Sequence, residues 1–138
     1  FENLIARGIT GFNICVTGAG GSIGSEICKQ ITKFKPKKLV LIDSSEFALY
    51  TIFNYLEKYN KDLQIIPILT NLGNVKSIEM IFKKHKLNLI YHAAAYKHVQ
   101  LVENNILEAL RNNIINTYYL LQTSIKLNST QVGIGVPW

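Results

Sequence analysis

An α/β domain, a doubly wound parallel sheet cut to about four or five strands, is predicted from three observations. Short apolar runs alternate with amphipathic stretches from end to end, a glycine-rich turn joins the first run to the first amphipathic stretch, and an aspartate closes the second run. Strands separated by helices need right-handed crossovers, which cover a parallel sheet on both faces.

The first strand is read at Asn13 to Thr17. The helix after it carries Ile23, Ile27, Ile31 and Phe34 at steps of three and four. Lys38 to Asp43 encloses the unbroken run Leu39-Val40-Leu41-Ile42, the pattern of a strand buried on both faces. Ser44 or Ser45 can cap the second helix, with Glu46 in its first turn and Leu49, Ile52, Phe53 and Leu56 as its apolar stripe. Leu63 to Leu69 is the third strand. Asn74 can cap the third helix, whose stripe is Val75, Ile78, Ile81 and Phe82, and Leu87 to His92 is the fourth strand. Leu107, Leu110, Ile114, Tyr118, Leu121 and Ile125 predict a last helix with a buried face about five turns long. A weaker fifth strand is read at Gln131 to Val136, and Pro36 and Pro67 are read as punctuation at or near strand boundaries. With no repeat or linker, one domain is expected over 1–138, with 1–12 as lead-in and 128–138 as an atypical tail.

The chain has 138 residues, 48% of them hydrophobic, enough for one sizeable core. No apolar run approaches the ~20 residues of a membrane span. The first residues lack the pattern of a signal peptide, so the working location is the cytoplasm. The chain starts at Phe1, which suggests that sequence lies upstream. Cys15 and Cys28 form neither a disulfide framework nor a metal spacing and read as buried small hydrophobes. The net charge of +6 comes mainly from lysines at 33–38 and 83–86. Both runs fall at predicted helix ends, where cations favour the dipole; steering of an anionic substrate and attraction to an acidic membrane surface are the alternatives. No nucleic-acid motif is present and no nucleic-acid partner is expected. His85 is expected in water, and His92 is expected as a packed, hydrogen-bonded histidine.

Val16-Thr17-Gly18-Ala19-Gly20-Gly21-Ser22-Ile23-Gly24 places Gly18, Gly21 and Gly24 at G-x-x-G-x-x-G spacing between strand and helix. Gly18 would permit the bend, Gly21 the close approach of backbone to a pyrophosphate, and Gly24 the packing of helix on strand. Asp43, nineteen residues beyond Gly24, would hydrogen-bond an adenosine ribose, which favours NAD over its 2′-phosphorylated form. The plainer alternative is a structural glycine turn beside a helix-capping aspartate. After the fourth strand, Ala93, Ala94 and Ala95 keep the backbone accessible at the edge where ligands bind.

The glycine segment through Ser25-Glu26, Ser45-Glu46-Phe47-Ala48-Leu49-Tyr50, and His92-Ala93-Ala94-Ala95-Tyr96-Lys97-His98-Val99 with Val102-Glu103 together resemble the CapD-type polysaccharide biosynthesis proteins, extended short-chain dehydrogenase/reductases of Rossmann type. The likeness covers about residues 11–127. It implies the NAD-binding part of an enzyme like the UDP-N-acetylglucosamine 4,6-dehydratases, in which the nicotinamide takes and returns a hydride while water leaves the sugar. Thr17, Gly18, Gly21, Ser22, Ile23 and Gly24 would form the pyrophosphate loop, Asp43 and Ser44 would hold the ribose, and Ala93, Ala94 and Ala95 would line the nicotinamide side. Lys97 and His98 would face the UDP-sugar, and Asn113 would brace the helix beneath. Asn71, followed by Leu72, stands where the family has an aspartate toward adenine, and its amide oxygen can accept without charge. The family's Ser-Thr-Asp-Lys strand and Tyr-x-x-x-Lys helix have no counterpart here, so no catalytic residue is assigned, no turnover is expected, and the end reads as a truncated or frame-shifted remnant. A nucleotide-sugar 4-epimerase fragment and a non-catalytic nucleotide-binding remnant are the alternatives. Membrane contact is expected only through upstream helices, and self-association through an open sheet edge.

Overall fold

The computed structural model describes residues 9–94 and 131–134, and within them strand and helix alternate as the periodicity predicts. The elements are β1 (Asn13–Thr17), α1 (Ser22–Thr32), β2 (Lys38–Asp43), α2 (Glu46–Tyr59), β3 (Gln64–Leu69), α3 (Val75–His85), β4 (Leu89–His92) and β5 (Gln131–Ile134). The helix expected over 107–125 lies outside the described residues.

Every strand pair is parallel, and the order is β3-β2-β1-β4-β5. β1 is central, with Val16 in register with Leu41 on one side and Tyr91 on the other. The chain winds outward from β1 through β2 to β3 and then returns across β1 to β4, so the order reverses between β1 and β4. Loops part there at the carboxyl ends of the strands and leave a crevice.

Period-two alternation divides the strand side chains between two cores. Ile14, Val16, Leu39 and Leu41 face α1 and α2, meeting Cys28, Ile31, Leu49, Ile52 and Leu56. Cys15, Val40, Ile42 and Ile90 face α3, meeting Ile78, Ile81 and Phe82. Each such buried side chain contributes about 1.5–3 kcal/mol relative to exposure, which is how helices with modest propensity are held. Cys15 and Cys28 are both buried and free, and burial pushes both thiols up, Cys28 to about 12, so neither is a ready nucleophile.

Several boundaries differ from expectation. α1 ends at Thr32, yet Phe34 still packs on the same core, because Lys33 and Phe34 bond back to the carbonyls of Gln30 and Ile31 and turn the chain inward. β4 begins at Leu89 rather than Leu87. Lys86 terminates α3 in a left-handed conformation with φ 49°, and Leu87 is spent on the α3 core before the ladder starts. Pro67 lies inside β3 opposite Leu41 and not at a boundary. β3 is an edge strand, so a residue without an N–H is tolerated there and blunts pairing with another chain. His85 is buried, not solvated, with 6% of its surface exposed.

Candidate functional site

The carboxyl edge carries a cleft lined by Gly18, Gly21, Ile42, Asp43, Ser44, Thr70, Asn71, Leu72, Ala93 and Ala94, about 180 Å³ in volume. Its floor is the turn after β1. Gly18 has φ 65°, and a Cβ there would lie 2.7 Å from the Ala93 carbonyl oxygen and the Ala94 Cα, so only glycine lets the turn lie against the end of β4. A Cβ on Gly24 would run into the Gly18 carbonyl oxygen. Gly21 differs: its nearest neighbour would be that same oxygen at 3.3 Å, so the fold itself nearly tolerates a side chain that would project at the cleft.

Gly20, absent from the sequence-level assignment, turns out to be as constrained. Its Cβ would meet Ala48 at 2.5 Å, and its N–H donates to Asp43 Oδ2 at 2.9 Å. Asp43 Oδ1 accepts from Ser45 N–H at 2.9 Å. The carboxylate therefore ties the glycine turn to the start of α2, and each oxygen keeps a lone pair for another donor. The signal was available in the Gly20-Gly21 pair and the small residue Ala48, but sequence spacing does not say which helix approaches.

The three described helices begin differently. Ser45 accepts from Ala48 N–H at the start of α2 and Asn74 from Ser77 N–H at the start of α3. α1 begins at Gly21 with no side-chain cap and no acidic residue in its first turn. First-turn N–H groups have no intrahelical acceptor, so this end of α1 offers donors and the positive end of a dipole beside the cleft.

Thr17 is fully buried, and its Oγ1 lies 2.6 Å from His92 Nδ1, so the hydroxyl supports the loop from behind and does not face the cleft. Burial lowers the His92 pKa to about 4, keeping the ring neutral. Ala93 N–H donates to the Thr17 carbonyl, a second tie between β1 and β4. Asn71 lines the cleft, with Oδ1 accepting from Gly73 N–H at 2.8 Å. Ser22 is exposed at the start of α1 and Ile23 is half-buried. The structure thus brings Gly18, Gly21, Asp43, Ser44, Asn71, Leu72, Ala93 and Ala94 to one cleft, adds Ile42 and Thr70, and sets Thr17 and Gly24 behind it. Ala95, Lys97, His98 and Asn113 lie outside the described residues.

This strand order, with a glycine turn feeding an uncapped helix at the point of reversal, defines a Rossmann-type domain. A solved UDP-glucose 4-epimerase from Stenotrophomonas maltophila, with bound NAD and formylated UDP-arabinopyranose, shares the fold: TM-score 0.76 at 19% identity, covering 89% of this chain and 36% of that one. The chain belongs to the polysaccharide biosynthesis protein family, whose model matches residues 14–134. It is 45% identical over 115 residues to the capsular polysaccharide biosynthesis protein CapD of Staphylococcus aureus, covering 83% of this chain and 19% of that protein. Against a UDP-N-acetylglucosamine 4,6-dehydratase (inverting) of Campylobacter jejuni it is 29% identical over 108 residues, 74% of this chain and 29% of that protein. The chain therefore spans less than a third of either relative. The family match also runs past 127, where the likeness was expected to stop, and Gln131–Ile134 pairs with β4 as a parallel strand, so part of the supposedly atypical tail belongs to the sheet.

Proposed function

We propose that this chain is the NAD-binding part of a UDP-N-acetylglucosamine 4,6-dehydratase-like enzyme of polysaccharide or glycan synthesis, a single dinucleotide-binding domain working in the cytoplasm. The observation that carries the reading is the uncapped start of α1 above a turn that cannot accept a Cβ at Gly18 or Gly24, facing Asp43 across the cleft. These residues fit the cofactor. Backbone N–H groups in the first turn of α1, at Ile23 and Gly24, would hold the pyrophosphate, while Gly21 N–H is spent on the Gly18 carbonyl and keeps the turn tight. The free lone pairs of Asp43, with Ser44, would accept from the ribose hydroxyls, and Ile42, Thr70, Asn71 and Leu72 would enclose the adenine. Ala93, Ala94 and Ala95 would leave room on the nicotinamide side, and Lys97 and His98 would approach the UDP-sugar. The described cleft, about 180 Å³, is smaller than the ~300–1,000 Å³ of a complete ligand pocket.

Bound NAD supplies a hydride acceptor; the residues described here bind and orient it. Acid–base groups for elimination are assigned to none of them, so the chain on its own binds cofactor without dehydrating substrate. A 4-epimerase origin is the second reading, favoured by the solved neighbours of that activity. Gly21→Val tests the cleft: NADH fluorescence titration should show at least a tenfold loss of affinity with the circular dichroism of the native chain retained. Unchanged affinity would make the glycine turn structural only.

A further inference from the structure

The two lysine runs, far apart in sequence, meet at one end of the domain. Each described helix runs back along the sheet, so all three end at the amino edge, away from the cleft. The α1–β2 connection brings Lys33, Lys35 and Lys37 there, the α3 end brings Lys83, Lys84 and Lys86, and all are exposed. Phe12 sits between the runs. Its carbonyl accepts from Lys37 N–H at 3.0 Å, while Asn13 Nδ2 beside it donates to the carbonyls of His85 and Lys86 at 3.1 Å each. Phe12 is nonetheless 41% exposed, and Tyr59, between Lys58 and Lys61 at the same edge, is 63% exposed. Among the described residues, Glu57 near the end of α2 and Asp62 just beyond it bring carboxylates to this edge.

Helix dipoles account for Lys33, Lys83, Lys84 and the cap residue Lys86, which lie within or at the last turns, but not for Lys35 and Lys37 in the α1–β2 connection. Lys35 and Lys86 occupy positive φ, 51° and 49°, where glycine would cost less. Steering of an anionic substrate does not account for Lys35 and Lys37 either, since the patch lies at the opposite ends of the strands from the cleft. Exposed aromatics set among cations at one edge instead match an anionic interface, where charge attracts and apolar side chains enter. We propose that the amino edge docks on the anionic phospholipid headgroups of a bilayer, with Phe12 entering the interface and the cleft left open to water. Every described cation of the patch is lysine, a compact point charge suited to diffuse headgroups; base and phosphate recognition in nucleic acids favours the arginine fork. No described helix is long and apolar enough to cross a membrane, so this contact is peripheral. The proposal is independent of what the cleft binds.

Sedimentation with vesicles of phosphatidylcholine alone, and of phosphatidylcholine mixed with phosphatidylglycerol, tests it. The chain should pellet with the anionic vesicles only, and less as salt rises. Each lysine near such a surface contributes about fivefold in partitioning, so Lys35→Gly with Lys86→Gly should lower it about 25-fold. Because glycine relieves both positive-φ positions, the thermal midpoint of that variant should be at or above wild type. Phe12→Ser should weaken partitioning further with the salt dependence unchanged. Equal binding to both vesicle types, or full binding by the double variant, overturns the proposal. Tighter binding to a single-stranded oligonucleotide than to anionic vesicles also overturns it and assigns the patch to nucleic acid.

Discussion

The two edges of this sheet are built from the same strands and helices and have opposite character. At the carboxyl edge the helices begin: glycines, short polar side chains and Asp43 crowd together, and backbone approaches backbone so closely that a methyl group does not fit. At the amino edge the helices end, and long lysines project into solvent from loops with space around them; a Cβ on Gly11 there would meet nothing within 4 Å. The same parallel topology imposes both. Every described helix start is gathered at one edge and every described helix end at the other, so first-turn N–H donors collect at the carboxyl edge and last-turn carbonyls, with their lysines, at the amino edge. Close packing at one edge makes it fragile to substitution, while the other tolerates change in fold and is expected to respond only in what it attracts.

The largest contrast is expected from single methyl groups. Gly24→Ala puts a Cβ into the Gly18 carbonyl oxygen and should cost about 3 kcal/mol by urea unfolding, because backbone rather than a flexible side chain must move. Lys86→Gly at the amino edge should leave stability unchanged or slightly raised. Comparable losses at both would erase the distinction.

Acid should expose the carboxyl edge next. His92 is held neutral down to about pH 4, while its unfolded imidazole takes a proton near 6.5. A folded pKa below the unfolded value means that the contribution is complete above 6.5 and is lost as pH falls from 6.5 to 4. The loss is on the order of 3 kcal/mol. His85 at the amino edge is shifted the same way, by burial and then by the Lys38 and Lys84 charges, so His92's share is the difference between wild type and His92→Gln across that window. Identical pH profiles for the two would place the acid sensitivity elsewhere.

The smallest effect separates the helix starts. Ser45→Ala removes the α2 cap and should cost about 1 kcal/mol while leaving cofactor affinity within twofold, since this cap serves the fold alone. A large drop in affinity would show that the α2 start is part of the cleft.

Much of this was legible in sequence where periodicity and chemistry agree. The run Leu39–Ile42 announced a doubly covered strand, and the steps of Leu49, Ile52 and Leu56 the face of α2, because burial selects the same residues that the pattern exposes. Gly18, Asp43 and Ala93 were legible as a group since turn, carboxylate and small residues each end a strand at one edge. Gly20, Thr17 and His85 were not. Gly20 is constrained by Ala48, which belongs to another helix; Thr17 reads as a loop residue but spends its hydroxyl on His92; and His85 looks solvated among lysines until Lys38, nearly fifty residues away, packs beside it. Each depends on a contact between distant segments that no local pattern encodes. Pro67 was misplaced for a similar reason, since only the strand order makes β3 an edge.

Calorimetric titration of the chain with NAD⁺ and with NADP⁺ tests the central claim most directly. Asp43 has both oxygens pinned by Gly20 and Ser45 N–H groups, so its carboxylate cannot swing away from a 2′-phosphate. NAD⁺ should bind at least tenfold more tightly, a difference of about 1.4 kcal/mol, and Asp43→Asn should narrow that gap. Equal or tighter binding of NADP⁺, or no binding of either, would contradict the assignment of the carboxyl edge to this cofactor.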